Sequence, residues 1–284
     1  MKYVAVMFDV VESRKYKERY LLQDILMQCV QYLNTCYCSD IEKPVISSAG
    51  DEFQGLFSSL QAAFQYIRRL QLFIYPVKIR CGIGYGEIKY NNLNWQSSAI
   101  DGPAYYAARD AISCISANKN NSVCFNTGTG FDKYINLLCE TDMQIKECQS
   151  QIARAIELIA DLMMPLDKKQ NNEDIKFWEQ LLQARAHIIE TEKWNQVGTR
   201  YKNDELLKIN VESWIELQNK FVLKNEEAQS FFYDEFWARG MSTEIAQLMN
   251  TTRQNIDRYV MQGKIKESRT MDKSIYELLG EKIW

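Results

Sequence analysis

At 284 residues and 46% apolar side chains, the chain is long enough for one large domain or two ordinary ones and too apolar for wholesale disorder. Its formal charge of −3 excludes a polycation, so any nucleic-acid contact needs a local basic surface. A single histidine and eight cysteines without a C-x-x-C pair argue against triads and zinc sites, and predict reduced, mostly buried thiols in a cytoplasmic protein.

Residues 3–9 read as a short apolar strand, followed by a polar turn holding Ser13 and Arg14. Ile25, Leu26, Cys29, Val30 and Leu33 then line one face of a helix over 23–37. Residues 45–48 and 53–57 form a hairpin around Gly50-Asp51-Glu52, and a second amphipathic helix over 60–73 ends at Tyr75-Pro76. From Val77 to Tyr85 apolar residues alternate with Lys78, Arg80, Gly82 and Gly84, the period of a strand with unlike faces. Gly82, Gly84 and Gly86 leave room for another backbone or a ligand. A helix over 104–115 and a strand over 122–125 complete a β-α-β-β-α-β-like order, the ferredoxin-like or palm arrangement.

Beyond Gly130 the pattern turns helical. Leu138, Ile145, Cys148, Ile152, Ala155, Ile159 and Leu162 form a heptad-like stripe that fits either a dimer seam or a helix packed on its own domain. The stretch 156–166 is broken by Asp161 and Pro165, and the N-terminus has no basic segment before an apolar run, so neither a membrane span nor export is expected. A polar linker over 168–174 precedes two more helical stretches with Phe177, Trp178, Trp194 and Trp214, to which no chemistry attaches. His187 is expected on a helix surface.

In the last segment a helix over 242–249, capped by Ser242 or Thr243, and a second over 253–261, ended by Gly263, flank the turn Asn250-Thr-Thr252. Ile245, Ala246, Ile256 and Val260 pack this helix-turn-helix pattern, leaving Thr252, Arg253, Gln254, Asn255 and Arg258 to face DNA. The alternative is a helical hairpin for protein contacts. The expected organisation is α/β (α+β): a palm domain over 1–130, a helical connector over 131–235 that could dimerise the chain, and a DNA-binding unit over 236–284.

Asp9 and Asp51 carry the chemistry. Each closes an apolar run, and if those runs are neighbouring strands the acids converge at one sheet end, where hard cations and phosphates can be held. Asp9, the carbonyl of Val10 and Asp51 are the candidate ligands for one or two Mg²⁺ ions, with Asp9 and Asp51 also the candidate catalytic pair. Glu52 is a supporting acid or a surface residue, while Ser13, Arg14, Lys78 and Arg80 are placed to meet phosphate charge. The ordinary alternatives are a ligand-free Gly-Asp turn at Asp51, a helix cap at Asp9, and surface pairs of Arg80 and Arg109 with Asp101 or Asp110.

Ala49-Gly50-Asp51-Glu52-Phe53 resembles the GGDEF motif of diguanylate cyclases, with alanine for the first glycine. The series Asp9, Gly50-Asp51, residues 79–87, Asp101-Gly102 and Arg109 is similar in order to class III nucleotide cyclases. More closely, the segments 8–14, 49–55, 75–87 and 101–109 resemble the SatD family, which joins such a domain to a C-terminal helix-turn-helix. The resemblance covers 1–125 and 240–262. It implies metal binding by Asp9 and Asp51 and nucleotide contacts by Asp101 and Arg109; Tyr105 stands where the cyclases have an asparagine. The expected function is Mg²⁺-dependent binding, and as an enzyme cyclisation or linkage, of a nucleoside triphosphate or cyclic nucleotide, coupled to DNA. The rivals are a transcription regulator whose palm only senses a nucleotide, and an interaction scaffold without a ligand.

Overall fold

The computed structural model describes residues 2–89, 97–117, 122–162, 172–192, 209–222, 237 and 240–281. These fall into two compact units, one of Met1–Gln144 with Ser274–Trp284 and one of Ile145–Lys273. The linker expected at 168–174 lies mostly outside the described residues, as does Trp194.

The first unit is built on a five-stranded sheet in the order β2-β3-β1-β4-β5. Strand β1 (Lys2–Val10) lies at its centre, antiparallel to β3 (Glu52–Phe57) and to β4 (Ile79–Glu87). Both faces of β1 are covered, which is why it reads as a continuous apolar run rather than an alternating one. Helices α1 (Arg19–Cys36) and α2 (Leu60–Phe73) cover the face of Val6 and Phe8; Phe57 meets Tyr66 of α2 edge-on at 5.2 Å, and the Tyr66 hydroxyl donates to the Val30 carbonyl. Ser59 caps α2 by accepting from the Ala62 N–H. β2 (Ile41–Ala49) is the edge strand, where Pro44 and three register shifts are tolerated because no further strand needs its outer side.

The β-α-β-β-α-β order is complete at β4, two elements earlier than expected. Helix α3 (Pro103–Ala117) and β5 (Val123–Asn126), parallel to β4, extend the sheet beyond it. The outer side of β5 is clasped by α4 (Asp132–Glu147): the Asn136 amide donates to the Phe125 carbonyl and accepts its N–H, at 3.0 and 2.7 Å. The glycine face of β4 is covered too. A Cβ at Gly82 or Gly84 would lie 2.0 Å from the Ala108 oxygen or 2.2 Å from the Ala104 oxygen. Of the two uses expected for these glycines, the structure shows close approach of another backbone, that of α3.

The second unit is helical. The stripe from Leu138 to Leu162 is not one helix: it divides between α4 and α5 (Gln151–Leu162), with Cys148 exposed at the break. Ser150 starts the new helix by accepting from the Ala153 N–H. α5 is buried among its neighbours from Ile152 to Asp161, so its part of the stripe packs within its own unit. Around it lie α6 (Asn172–Thr191), α7 (Val211–Val222), α8 (Met241–Leu248), α9 (Arg253–Gln262) and the first part of α10 (Ile265–Gly280). Trp178 of α6 and Trp214 of α7 meet at 5.2 Å as part of this core, and the Trp214 indole donates to the Ile159 carbonyl. His187 is exposed on α6, as expected. The eight cysteines are in thiol form, outside any disulfide, and among the described residues no helix is long and apolar enough to cross a membrane.

Candidate functional site at the end of the central strands

The register Phe8↔Phe53 between β1 and β3 brings the end of β1 alongside the Gly50-Asp51 turn. Phe8 and Phe53 stack in parallel at 5.0 Å and fix that alignment. Gly50 holds the left-handed conformation the turn requires, with φ of 64°, and the Ser47 hydroxyl donates to its carbonyl. Asp51 is half-buried and Glu52 exposed.

On the other side of β1, Asp9 lies opposite Arg80. Residues directly opposite in an antiparallel pair share a face, so their side chains meet. Arg80 Nε donates to Asp9 Oδ1 at 2.8 Å and Nη2 to Oδ2 at 2.9 Å, a fork-to-fork pair. The Asp9 side chain is only 17% exposed, so this is not a solvated surface contact. Hydrogen bonding to Asp9 raises the Arg80 pKa; burial opposes the rise, and the charges of Asp9 and Asp51 add to it. The guanidinium therefore lies in the field of both carboxylates.

The Val11 N–H donates to the Lys78 carbonyl, so the backbone groups of Val11 and Asp9 are the ones that face β4. By the alternation of the ladder, the carbonyl of Val10 is directed the other way, toward the β2–β3 turn and Asp51. Ser13 is buried in the short 3-10 turn that follows, whereas Arg14 and Lys78 are exposed. Among the described residues no group of three or more His, Cys, Asp and Glu is placed to hold a metal ion.

Asp101 and Arg109 are not brought to this end within one chain. Asp101 accepts from the Gly102 N–H and the Tyr106 hydroxyl, and its carbonyl accepts from the Lys89 N–H, just past Glu87. Arg80 and Glu87 are seven residues apart on β4, roughly 23 Å at strand rise. Arg109 is exposed on α3. Tyr105 points inward, packed with Ala5, Met7 and Leu56, and among the described residues its buried hydroxyl has no hydrogen-bond partner. Burial raises its pKa.

In the second unit α8 and α9 are joined by a four-residue turn in which Asn250 takes a positive φ of 47°. Neither Ser242 nor Thr243 caps α8: Gly240 occupies the cap position, and the Ser242 hydroxyl accepts from the Trp237 indole instead. Thr252 caps α9 by accepting from the Asn255 N–H. Arg253, Gln254 and Arg258 are exposed and Asn255 half-buried; Arg253 pairs with Asp257 one turn on, and Arg258 lies over the Tyr259 ring. Gly263 ends α9 in ordinary αR geometry, and a Cβ there would lie 2.8 Å from that of Ala153.

The pairing of Asp9 with Arg80 and the Asn136 clasp on β5 were not anticipated. The alternation from Val77 to Tyr85 put Arg80 on one face of its strand, but nothing local announced which strand it would face.

Among solved structures, that of a bacterial light-regulated adenylyl cyclase is similar at 15% identity and a TM-score of 0.34, over 44% of this chain and 74% of that one. No curated protein matches the sequence. The sequence model of the SatD family matches residues 3–193. The match runs through the helices to the end of α6, further than the resemblance over 1–125, and stops short of α8 and α9. Spanning more than half of the sequence, it shows that the chain belongs to the SatD family.

Proposed function

We propose that the first unit is a ferredoxin-like palm that binds the phosphates of a nucleotide at the Asp9 and Asp51 end, and that α8 and α9 form a helix-turn-helix through which the protein regulates DNA. The observation that carries this reading is the register: β1 and β3 bring two carboxylates to one sheet end, with Arg80 in the field of both. Asp9, the Val10 carbonyl and Asp51 are hard oxygen donors of the kind Mg²⁺ takes, and they suit one ion rather than two. Held by these residues, the ion would neutralise phosphate charge. Ser13, Arg14 and Lys78 would meet the remaining phosphate oxygens from the loop and from β4.

A nucleotide sensor is favoured over a cyclase by three placements: Asp101 at the far end of β4, Arg109 exposed on α3, and Tyr105 in the core rather than at the phosphate end. Cysteines outside any disulfide suit a cytoplasmic protein.

In a thermal-shift assay of the full chain, Mg²⁺ with nucleoside triphosphates should raise the melting temperature, since a hundredfold excess over Kd stabilises the folded state by about 2.7 kcal/mol. Asp51→Ala should abolish the shift. No shift with any of the four triphosphates would end the nucleotide reading. Chromatography of labelled triphosphate after incubation with the protein then separates sensor from enzyme, and a cyclic or linked product would establish catalysis.

For α9, the logarithm of DNA affinity should fall linearly with log salt, and the Arg253→Ala, Arg258→Ala pair should weaken binding and lower the slope by about 1 for each lost phosphate contact. Binding unchanged by the pair removes α9 as the recognition helix.

A further inference from the structure

The cation that faces Asp9 in this structure is the protein's own, Arg80. Asp9 offers each of its oxygens to a separate Arg80 nitrogen, at 2.8 and 2.9 Å. The two residues are paired across β1 and β4 by the sheet register, not by a flexible surface encounter. Asp9 is shielded to 17% exposure, so the pair is screened less than a surface ion pair. A divalent ion approaching Asp9, Val10 and Asp51 must compete with a tethered charge that is present at high effective concentration.

We propose that Arg80 is an internal counter-cation, which keeps the Asp9 and Asp51 site closed to divalent ions until a phosphate group draws its guanidinium away. The phosphate half of this inference rests on the nucleotide reading above; the counter-cation half does not. Phosphate is a competent rival for Arg80, because its oxygens match the planar fork as a carboxylate does. As the guanidinium turns to phosphate, Asp9 regains two oxygen donors and the ion can enter beside Asp51. Metal and phosphate thus bind with positive coupling, and by linkage each strengthens the other by the same factor. The SatD chain would then respond to the ion and the phosphate together and hardly to the ion alone.

The test is Mn²⁺ binding to the full chain by electron paramagnetic resonance, with and without inorganic triphosphate, each against a protein-free mixture. Without triphosphate, Arg80→Ala should bind Mn²⁺ about 5- to 150-fold more tightly than the unaltered protein, the usual span of such couplings. Arg80→Lys, which keeps the charge but loses the fork, should fall between them, and adding Asp9→Asn to Arg80→Ala should remove the gain. Triphosphate should tighten Mn²⁺ binding by the unaltered protein and much less by Arg80→Ala. Equal Mn²⁺ affinity in the unaltered protein, Arg80→Ala and Arg80→Lys, all with intact near-ultraviolet circular dichroism, overturns the proposal. A gain in Arg80→Ala with no effect of triphosphate on either protein upholds the counter-cation and overturns the nucleotide reading. Should Arg80→Ala fail to fold, Arg80→Lys against the unaltered protein decides in the same way: tighter Mn²⁺ binding upholds the counter-cation and equal binding overturns it.

Discussion

Gly84→Val is expected to prevent the first unit from folding. A Cβ at Gly84 would lie 2.2 Å from the Ala104 oxygen, 2.3 Å from the Ala108 nitrogen and 2.9 Å from the Ala107 carbonyl carbon. All three are backbone atoms of α3, so no side chain can swing aside to make room. The helix would have to lift from β4, opening the core formed by Ala5, Met7, Leu56, Ala104, Tyr105 and Ala108. Overpacking of ordinary side chains costs about 1–3 kcal/mol. Displacing a whole helix goes beyond that range, and a loss above about 4 kcal/mol, in the exceptional class for single substitutions, is the expected result. Urea denaturation monitored by near-ultraviolet circular dichroism reads it directly. Gly130→Ala is the matched control, since a Cβ there meets nothing within 4 Å; it should stay within about 0.5 kcal/mol of the unaltered protein. If Gly84→Val were as stable as Gly130→Ala, the tight seating of α3 on β4 would be wrong.

Why those glycines are present is where sequence reasoning reached its limit. The period of two over Val77 to Tyr85 fixed which residues share a face, because alternation is a local property of an extended chain. It could not choose between a ligand and a second backbone as the object that comes close. The same limit hid the partner of Arg80. Period two says that Arg80 lies on the glycine face; opposing it to Asp9 requires the register of β4 on β1, which packing of distant residues decides. The convergence of Asp9 with the Gly50-Asp51 turn was legible because each acid terminates an apolar run and a hairpin joins β2 to β3 with a short turn. Helix α2 was legible to its ends, Leu60–Phe73, since Ser59 caps it and Tyr75-Pro76 stops it. The α4–α5 stripe misled because steps of three and four continue from Ile145 through Cys148 to Ile152, across the break that Ser150 caps. A stripe records which residues want burial; it does not record a helix restarting on a new cap.

The polar positions of α5 were harder still, and they support the second large prediction. Arg154, Glu157 and Asp161 would be read as the wet side of an amphipathic helix, yet they are 6%, 1% and 1% exposed. α5 is buried all round, and the second unit closes over it with charge. Arg154 Nη1 donates to Glu157 Oε2 at 2.9 Å and to the Gln149 side-chain oxygen at 3.2 Å, while the Gln149 amide donates to the Gly263 carbonyl. Arg269, 1% exposed, donates through Nη2 to the Glu157 carbonyl at 2.9 Å and stands 3.8 Å from Asp161. Arg269→Ala removes this cation from beside the Asp161 carboxylate, in an interior with no solvent to replace it. Removing one member of a buried pair costs about 3–5 kcal/mol, most of it from the charge left behind. Arg269→Ala should therefore lower the unfolding free energy of the second unit, read from urea denaturation, by that amount. Adding Asp161→Asn should recover part of the loss, because the buried charge that Arg269 faced is then gone. Losses that simply add would mean that Arg269 contributes packing through its stem, and that its charge is not matched to Asp161. A recovery would identify the ion pair as what fixes α10 against α5, since apolar contacts alone would tolerate several rotational settings of a helix buried on every side.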